Sequence, residues 1–346
     1  MRILHCISTL GEGGAERQLV HLANELPAHG VDLHVAITDE GVMKEHFSGK
    51  AQLYRLHGAG NYDPRVIGTL AKLIRKLRPD VVQTWLTRMD VIGGLAAKLT
   101  GTKWLLTERS SLLAYAPGVR NSVRVGFGRR ADAIVANSEG GLDYWKSHHP
   151  RTKILRRIPN AVWTAAAPRT DTAVQSPARI VVVGRLTTDK NHLLLVDALA
   201  HVDDAVLQIC GTGPLEAEVR ARAAAFGDRV TFSGHVADVG SVLRESDVFI
   251  SMSNYEGLPN AVSEAAAAGV PLVLSDIPAH RELFGDDAAL YVDGRDPAAV
   301  AAALRIAIAD RDAAARRARK AQAVVTQWTP AAIAAEYHRL YEDILK

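Results

Sequence analysis

"RILHCISTLGEGGAERQLVHLANEL", residues 2–26, is the stretch whose reading decides the fold. It opens on a short apolar run, turns through Gly11, Gly13 and Gly14, and continues with Leu19, Leu22, Ala23 and Leu26 at the spacing of one helix face. A strand, a tight turn and an amphipathic helix follow from that pattern. The same unit recurs outward from it. "VDLHVAI" (31–37), "PDVVQTW" (79–85), "TKWLLT" (102–107) and "ADAIVANS" (131–138) alternate with helical patterns, and so, further on, do "RIVVVGRL" (179–186), "AVLQICGTG" (205–213), "RVTFSG" (229–234), "DVFISMS" (247–253) and "PLVLS" (271–275). Strands alternating with helices imply parallel sheets covered by helices.

The alternation breaks once, at "NAVWTAAAPRTDTAVQSPA" (160–178), which is rich in Ala, Pro, Thr and Ser and has no period. The expected organisation is therefore two doubly wound α/β domains, 1–165 and 166–327, facing a central cleft. A closing helix, 328–346, begins anew at Thr329 and Pro330 after a stop at Trp328 and is a candidate to pack back on the first domain. With 346 residues and 48% hydrophobic content, two ordinary domains can each bury a full core.

Composition excludes several classes. The two cysteines, Cys6 and Cys210, lie inside apolar runs, so a disulfide framework or a cysteine-rich zinc site is excluded and reduced thiols in a cytoplasmic protein are expected. The N-terminal apolar run runs into glycines instead of a cleavage site, and no uncharged apolar run reaches the roughly 18 residues that crossing a bilayer needs. Residues 1–165 carry 23 Lys and Arg against 14 Asp and Glu, whereas 166–346 carry 18 against 24. The basic excess gathers in "RNSVRVGFGRR" (120–130) and "RTKILRR" (151–157), either as solvated helix faces or as a surface for an anionic membrane at the inner face of the cell membrane. Without interleaved aromatics these stretches do not suit nucleic acid.

Ligands of such folds bind at the carboxyl ends of the strands. There the first domain offers the glycine turn, which lacks the GxGxxG spacing of a dinucleotide site. The second offers "VVVGRLTTDKN", where the Arg185 fork and the Lys190 ammonium are suited to a diphosphate. It also offers "NYEGLPNAVSEAAAAG" (254–269), in which Glu256 precedes a helix begun at Pro259 and Asn260, and Glu264 lies one turn in. Backbone N–H groups at a helix start attract phosphate, while carboxylates accept hydrogen bonds from hydroxyls. A nucleotide sugar carries both kinds of group.

"GGAER", "IPNAV", "VVGRLTTDKN", "CGTGPLEAEV" and above all "SNYEGLPNAVSEAAAAGVPLV" resemble the retaining glycosyltransferases of family 4, with the motifs in the family's order over nearly the whole chain. The resemblance implies the GT-B fold and transfer of a sugar, with UDP favoured as nucleotide, to a saccharide acceptor. That acceptor would be lipid-linked, as in bacterial surface-polysaccharide or lipopolysaccharide assembly, or a soluble small molecule. A sugar-nucleotide 2-epimerase and a non-catalytic nucleotide-sugar sensor share the architecture. By the resemblance Glu264 binds the donor ribose, Glu256 lies near the donor sugar, and Arg185 and Lys190 hold the diphosphate beside Gly184, with Gly13 and Gly14 closing over it. The Gly257–Asn260 turn, through Leu258 and Pro259, meets donor sugar or phosphate, and Gly211, Thr212 and Val236 flank the base. Arg185, Lys190 and Glu256 carry the catalysis, with no cofactor and no metal. Many relatives have a histidine in the segment written here "VVQTWLTRMDVIGG". Trp85, Arg88 and Asp90 are its candidate substitutes, and Glu108 and Arg109 of "TERSS" (107–111) are expected to face the cleft on the acceptor or sugar side.

Overall fold

The computed structural model describes residues 1–11, 13–56, 63, 65–110, 115, 118–162 and 176–346. The chain divides into two units, Met1–Ala161 with Trp328–Lys346, and Val162–Gln327. Most of the break in the alternation, 163–175, lies outside the described residues. Its first residues are no free linker: Asn160, Ala161 and Val162 are buried, and the Gln18 side chain hydrogen-bonds both the N–H and the C=O of Ala161, each at 2.7 Å.

The first unit contains β1 (Arg2–Cys6), β2 (Asp32–Ile37), β3 (Gln52–Arg55), β4 (Val81–Trp85), β5 (Lys103–Glu108), β6 (Ala133–Ala136) and β7 (Leu155–Arg157), all parallel, in the order β3-β2-β1-β4-β5-β6-β7. Side chains alternate across it. Leu4, Cys6, Val82 and Leu106 join Trp104 and Trp145 in a core under the helices Arg65–Leu77, Leu86–Thr100 and Val119–Gly128. His5 and Gln83 face the opposite way and bond the Tyr341 hydroxyl on the closing helix, Pro330–Leu345, whose start Thr329 caps by accepting from the Ala332 N–H at 3.2 Å.

The second unit contains β8 (Ala178–Val183), β9 (Ala205–Cys210), β10 (Val230–Gly234), β11 (Val248–Ser251), β12 (Leu272–Ser275) and β13 (Leu290–Val292), also parallel, in the order β10-β9-β8-β11-β12-β13. Its core is aliphatic, built on Ile180, Val182, Leu207, Ile209, Ile250 and Val273. In each sheet the winding reverses once, between β1 and β4 and between β8 and β11. Loops leaving those two strands diverge to opposite faces and open a crevice at the carboxyl edge, which positions a ligand site in doubly wound folds. Strands β3, β7 and β13, only three or four residues long, are not anticipated by the sequence reading, which treats 151–157 as a basic stretch.

Candidate functional site

In the second unit the crevice between β8 and β11 brings Lys190 and Glu256 together. Lys190 closes a single helical turn, Thr188–Lys190, and the next residue, Asn191, is left-handed (φ 56°), held by its side-chain amide donating to the Gly294 carbonyl at 2.8 Å. From the β11 side, the Asn254 N–H donates to the Asp189 carbonyl at 2.8 Å, tying the two loops edge to edge. The Lys190 ammonium consequently pairs with Glu256 Oε1, and the Ser253 hydroxyl donates to the same oxygen at 2.8 Å. Both charged side chains keep part of their surface open, 22% and 14%. Arg185 is exposed, and no partner for its guanidinium occurs among the described residues.

Beneath this pair the polar chain continues inward. Ser275 Oγ donates to the Ser253 carbonyl at 2.6 Å, and the buried His280 ring lies with Nδ1 2.8 Å from the Ser275 carbonyl. Only a protonated Nδ1 can donate there, so Nε2 is a bare acceptor, and it has no partner among the described residues. Burial holds the His280 pKa below its ordinary value and keeps the ring neutral. Ser253, Ser275 and His280 form a support under Glu256 that the sequence reading missed; single serines and a lone histidine in three separate segments carry no local signal.

Glu256 leads into the Gly257–Pro259 turn and the helix Asn260–Ala267. Pro259 occupies the cap position without a capping side chain, and its carbonyl accepts from the Ser263 N–H at 3.0 Å. The first N–H groups of the helix thus lie at the carboxyl edge with no side-chain cap. Glu264, partly exposed, sits one turn along. On the β9 side, Gly211 is a close-approach residue. At φ 139° its backbone passes so near the Gly184 carbonyl that a Cβ would overlap it, while the Thr212 carbonyl accepts from the Leu186 N–H at 3.0 Å. Thr212 is exposed and Val236, after β10, half-buried.

The first unit arranges similar residue types differently. Gly13 caps the helix Gly14–Glu25, and the Glu16 carboxylate folds back over it, so a Cβ on Gly13 would meet that carboxylate. Glu12, in the same turn, lies outside the described residues. At the ends of β4 and β5, three expected wall residues prove fully buried: Trp85, Asp90 and Glu108. Arg124, itself 1% exposed, bonds Asp90 Oδ2 at 2.7 Å and Glu108 Oε2 at 2.8 Å; Trp145 Nε1 adds a bond to Glu108 and Thr84 one to Asp90. Burial pushes the Asp90 carboxyl up to about 6 although Arg124 pulls it down, and the two carboxylates hold Arg124 well above its ordinary value.

Two expectations are corrected by this cluster, and a third by ion pairs at the surface. Asp90 and Glu108 do not face an open site, because one oxygen of each is bonded by Arg124 while Asp90 Oδ1 accepts from Thr84 and Glu108 Oε1 from the Arg109 and Ser110 N–H groups and the Tyr115 hydroxyl. Nor does Arg124 face a surface: on the helix Val119–Gly128 it shares the inward side with Gly128, where any Cβ would strike the Trp145 ring. The basic stretch 151–157 is also reduced as a surface, since Arg156 pairs with Asp343 at 2.8 Å and Arg157 with Glu139 at 3.1 Å. Arg109 lies 4.4 Å over the Trp85 ring and is bonded to Asn160 and the Tyr337 hydroxyl; Arg88, partly exposed, reaches Thr38 Oγ1 at 3.1 Å. Ser111 of the same cluster falls outside the described residues.

Comparison with known proteins adds the family. Residues 12–165 match the family model described as Glycosyltransferase Family 4, and residues 177–310 match that of Glycosyl transferases group 1. The lipopolysaccharide core biosynthesis glycosyltransferase LpsE of Rhizobium meliloti is 27% identical, over 95% of this chain and 96% of that protein. A Campylobacter jejuni α-1,4-N-acetyl-D-galactosaminyltransferase, whose name gives a diNAcBac-PP-undecaprenol-linked saccharide, is 26% identical over 77% of this chain and 76% of its own. Among solved structures, Anabaena HepE in complex with UDP superposes with a TM-score of 0.84 at 19% identity, covering 99% of this chain and 100% of that one.

Proposed function

The chain belongs to the family 4 glycosyltransferases and has the GT-B fold, and from that premise we infer that it transfers a sugar from a UDP-sugar to a lipid-linked saccharide, with retention of configuration, in cell-surface polysaccharide or lipopolysaccharide assembly. The observation that carries the reading is the meeting of Lys190 and Glu256 at the β8/β11 crevice, beside the exposed Arg185 and an uncapped helix start. As the glycosidic bond lengthens, negative charge grows on the departing diphosphate while the sugar turns oxocarbenium-like. Arg185, Lys190 and the N–H groups at Asn260 meet that charge, so the step is assigned no metal ion. Glu256, held by Ser253, accepts from a sugar hydroxyl, and Glu264 accepts from the ribose. One carboxylate near the sugar, with the other on the ribose, leaves no second carboxylate for a glycosidase-like double displacement. The acceptor hydroxyl therefore enters on the face the diphosphate leaves, the leaving phosphate taking its proton.

The lipid-linked acceptor draws support from the named substrate of the Campylobacter relative and from the outer side of the helix Val119–Gly128. There Val119 and Val123 are exposed, one turn apart, with Arg120, Arg129 and Arg130; the Arg151 N–H, bonded to the Arg129 carbonyl, brings the exposed Arg151 and Lys153 alongside. Each cation near an anionic membrane contributes about 1 kcal/mol. Among the described residues no helix is long and apolar enough to cross a membrane.

Incubation with UDP-sugars and an undecaprenyl-diphosphate-linked saccharide, followed by proton NMR of the product, tests the reading. An α-linked product from an α-linked donor is expected. An inverted product removes the same-face mechanism, and sugar epimerisation without any acceptor removes the transferase.

A further inference from the structure

Glu256 is held by one oxygen only. Its Oε1 takes both bonds that the carboxylate makes, from the Lys190 ammonium and from the Ser253 hydroxyl, and its Oε2 makes none among the described residues. The two donors differ in what the reaction asks of them. Lys190 ends a flexible four-carbon stem and is partly exposed, so a diphosphate arriving at the crevice draws its ammonium away. Ser253 is buried, and its hydroxyl is fixed from behind.

Each hydroxyl behind Glu256 has one proton, and the neighbours settle where it goes. The His280 Nδ1–H is committed to the Ser275 carbonyl at 2.8 Å, so the Ser275 hydroxyl, 3.3 Å from the same nitrogen, is left to donate to the Ser253 carbonyl at 2.6 Å. A carboxylate only accepts, so the Ser253 proton goes to Glu256, and Ser251 Oγ, 3.3 Å from Ser253 Oγ, is the donor of that pair. Ser251 closes β11, Ser275 closes β12, and the Tyr291 hydroxyl on β13 donates to the His280 carbonyl at 3.3 Å. Three strands therefore fix one hydroxyl. Neighbouring positions on the same strands, Ile250 and Val273, and Met252 between the two serines, belong to the aliphatic core, where a polar group costs stability. His280 Nε2, buried without a partner among the described residues, marks that cost.

We propose that Ser253 is a positioning residue for the transfer step: it keeps Glu256 Oε1 fixed while Lys190 turns to the diphosphate, and so presents Oε2 to a hydroxyl of the departing sugar. The proposal rests on the glycosyl-transfer reading. Ser275 and His280 act one and two bonds further back, through Ser253.

Ser253→Ala, Ser275→Ala, Glu256→Ala and the double variant of Ser253 and Glu256 provide the test. UDP release is measured from UDP-glucose, UDP-galactose and their 2-acetamido counterparts with the undecaprenyl-diphosphate-linked saccharide, and UDP binding by calorimetry. Ser253→Ala is expected to lower kcat about 10- to 100-fold, the loss of one hydrogen bond to a charged group, with donor KM, UDP affinity and thermal midpoint nearly unchanged. Ser275→Ala gives a smaller loss, also in kcat alone. With the carboxylate gone the hydroxyl has nothing to hold, so the double variant matches Glu256→Ala. Three results each overturn the proposal and leave the transfer reading standing: normal kcat in Ser253→Ala, a further loss in the double variant, or UDP affinity falling with kcat, which marks a crevice distorted as a whole. No UDP release from any donor by the unaltered protein removes the transfer reading itself, and the proposal with it.

Discussion

The two sheet reversals of this molecule use the same ingredients to opposite ends. At β8/β11, a lysine and a glutamate from loops pair at the surface of the crevice, each keeping part of its side chain open to a ligand. At β1/β4, an arginine and two carboxylates pair at zero to 1% exposure. An ion pair that stays at the edge can exchange its partner for a substrate. One sealed under a helix cannot, and serves to fix where that helix sits. Position relative to the sheet edge, not residue type, separates the reactive pair from the structural one.

The sharpest test of that contrast exchanges the cations. Arg124→Ala leaves Asp90 and Glu108 buried without their counter-charge, and the first unit is expected to lose about 3–5 kcal/mol of stability, read by denaturant unfolding. Lys190→Ala, whose pair is partly solvated, is expected to leave unfolding nearly unchanged. Comparable losses in the two variants would erase the distinction.

The next effect runs in the other direction. Lys190→Ala and Arg185→Ala are each expected to lower turnover at least roughly 100-fold, as losing a charged contact to a departing diphosphate does. Arg129→Ser with Arg130→Ser, on the exposed end of the basic helix, leaves kcat alone and weakens co-sedimentation with anionic liposomes. Normal turnover in both diphosphate variants would withdraw the phosphate grip from this crevice.

The sequence made the second unit's edge legible because its signals are local. A strand end, a Pro-Asn helix start and a carboxylate one turn in are all read within a dozen residues, and the strand–helix alternation is equally local. The first unit's cluster depends on contacts 16 and 34 residues apart, made by a helix whose inward side no charge pattern marks. Arg124 looked like one cation among several. The available hint was Gly128 four residues on, since two positions one turn apart share a side and a glycine there signals close packing. For Tyr341, bonded to His5 across 336 residues, no sequence signal existed.

A finer division lies within the β8/β11 crevice. Glu256→Gln is expected to lower kcat, because its contact strengthens as the sugar departs, whereas Glu264→Gln, on the ribose, raises donor KM with kcat nearly kept. Freed from Glu256, Lys190 also has only the diphosphate to neutralise, so UDP binds Glu256→Gln more tightly by calorimetry. Identical kinetic effects in the two variants would contradict separate roles.

Acid should part the two units by the smallest margin, and the sign follows from burial. In the second unit His192, held down to about 4, and His280, also held below its ordinary value, stay neutral when folded. Unfolding lets each take a proton below about 6.5, so stability present above that pH is lost as pH falls. The first unit has the same tendency in His5, down to about 3, and His21, down to about 4. It also has Asp90, raised to about 6, which binds its proton in the folded state before an unfolded aspartate would and so adds stability as pH falls from about 6 to 4. One group in the first unit thus offsets one histidine, and no raised carboxylate among the described residues does so in the second. Hydrogen exchange of the two sheets at pH 4.5 and pH 7, corrected for intrinsic rates, is expected to show protection falling more in β8–β12 than in β1–β6. Equal losses would mean that Asp90 stays ionised beside Arg124 throughout, its burial outweighed by the guanidinium.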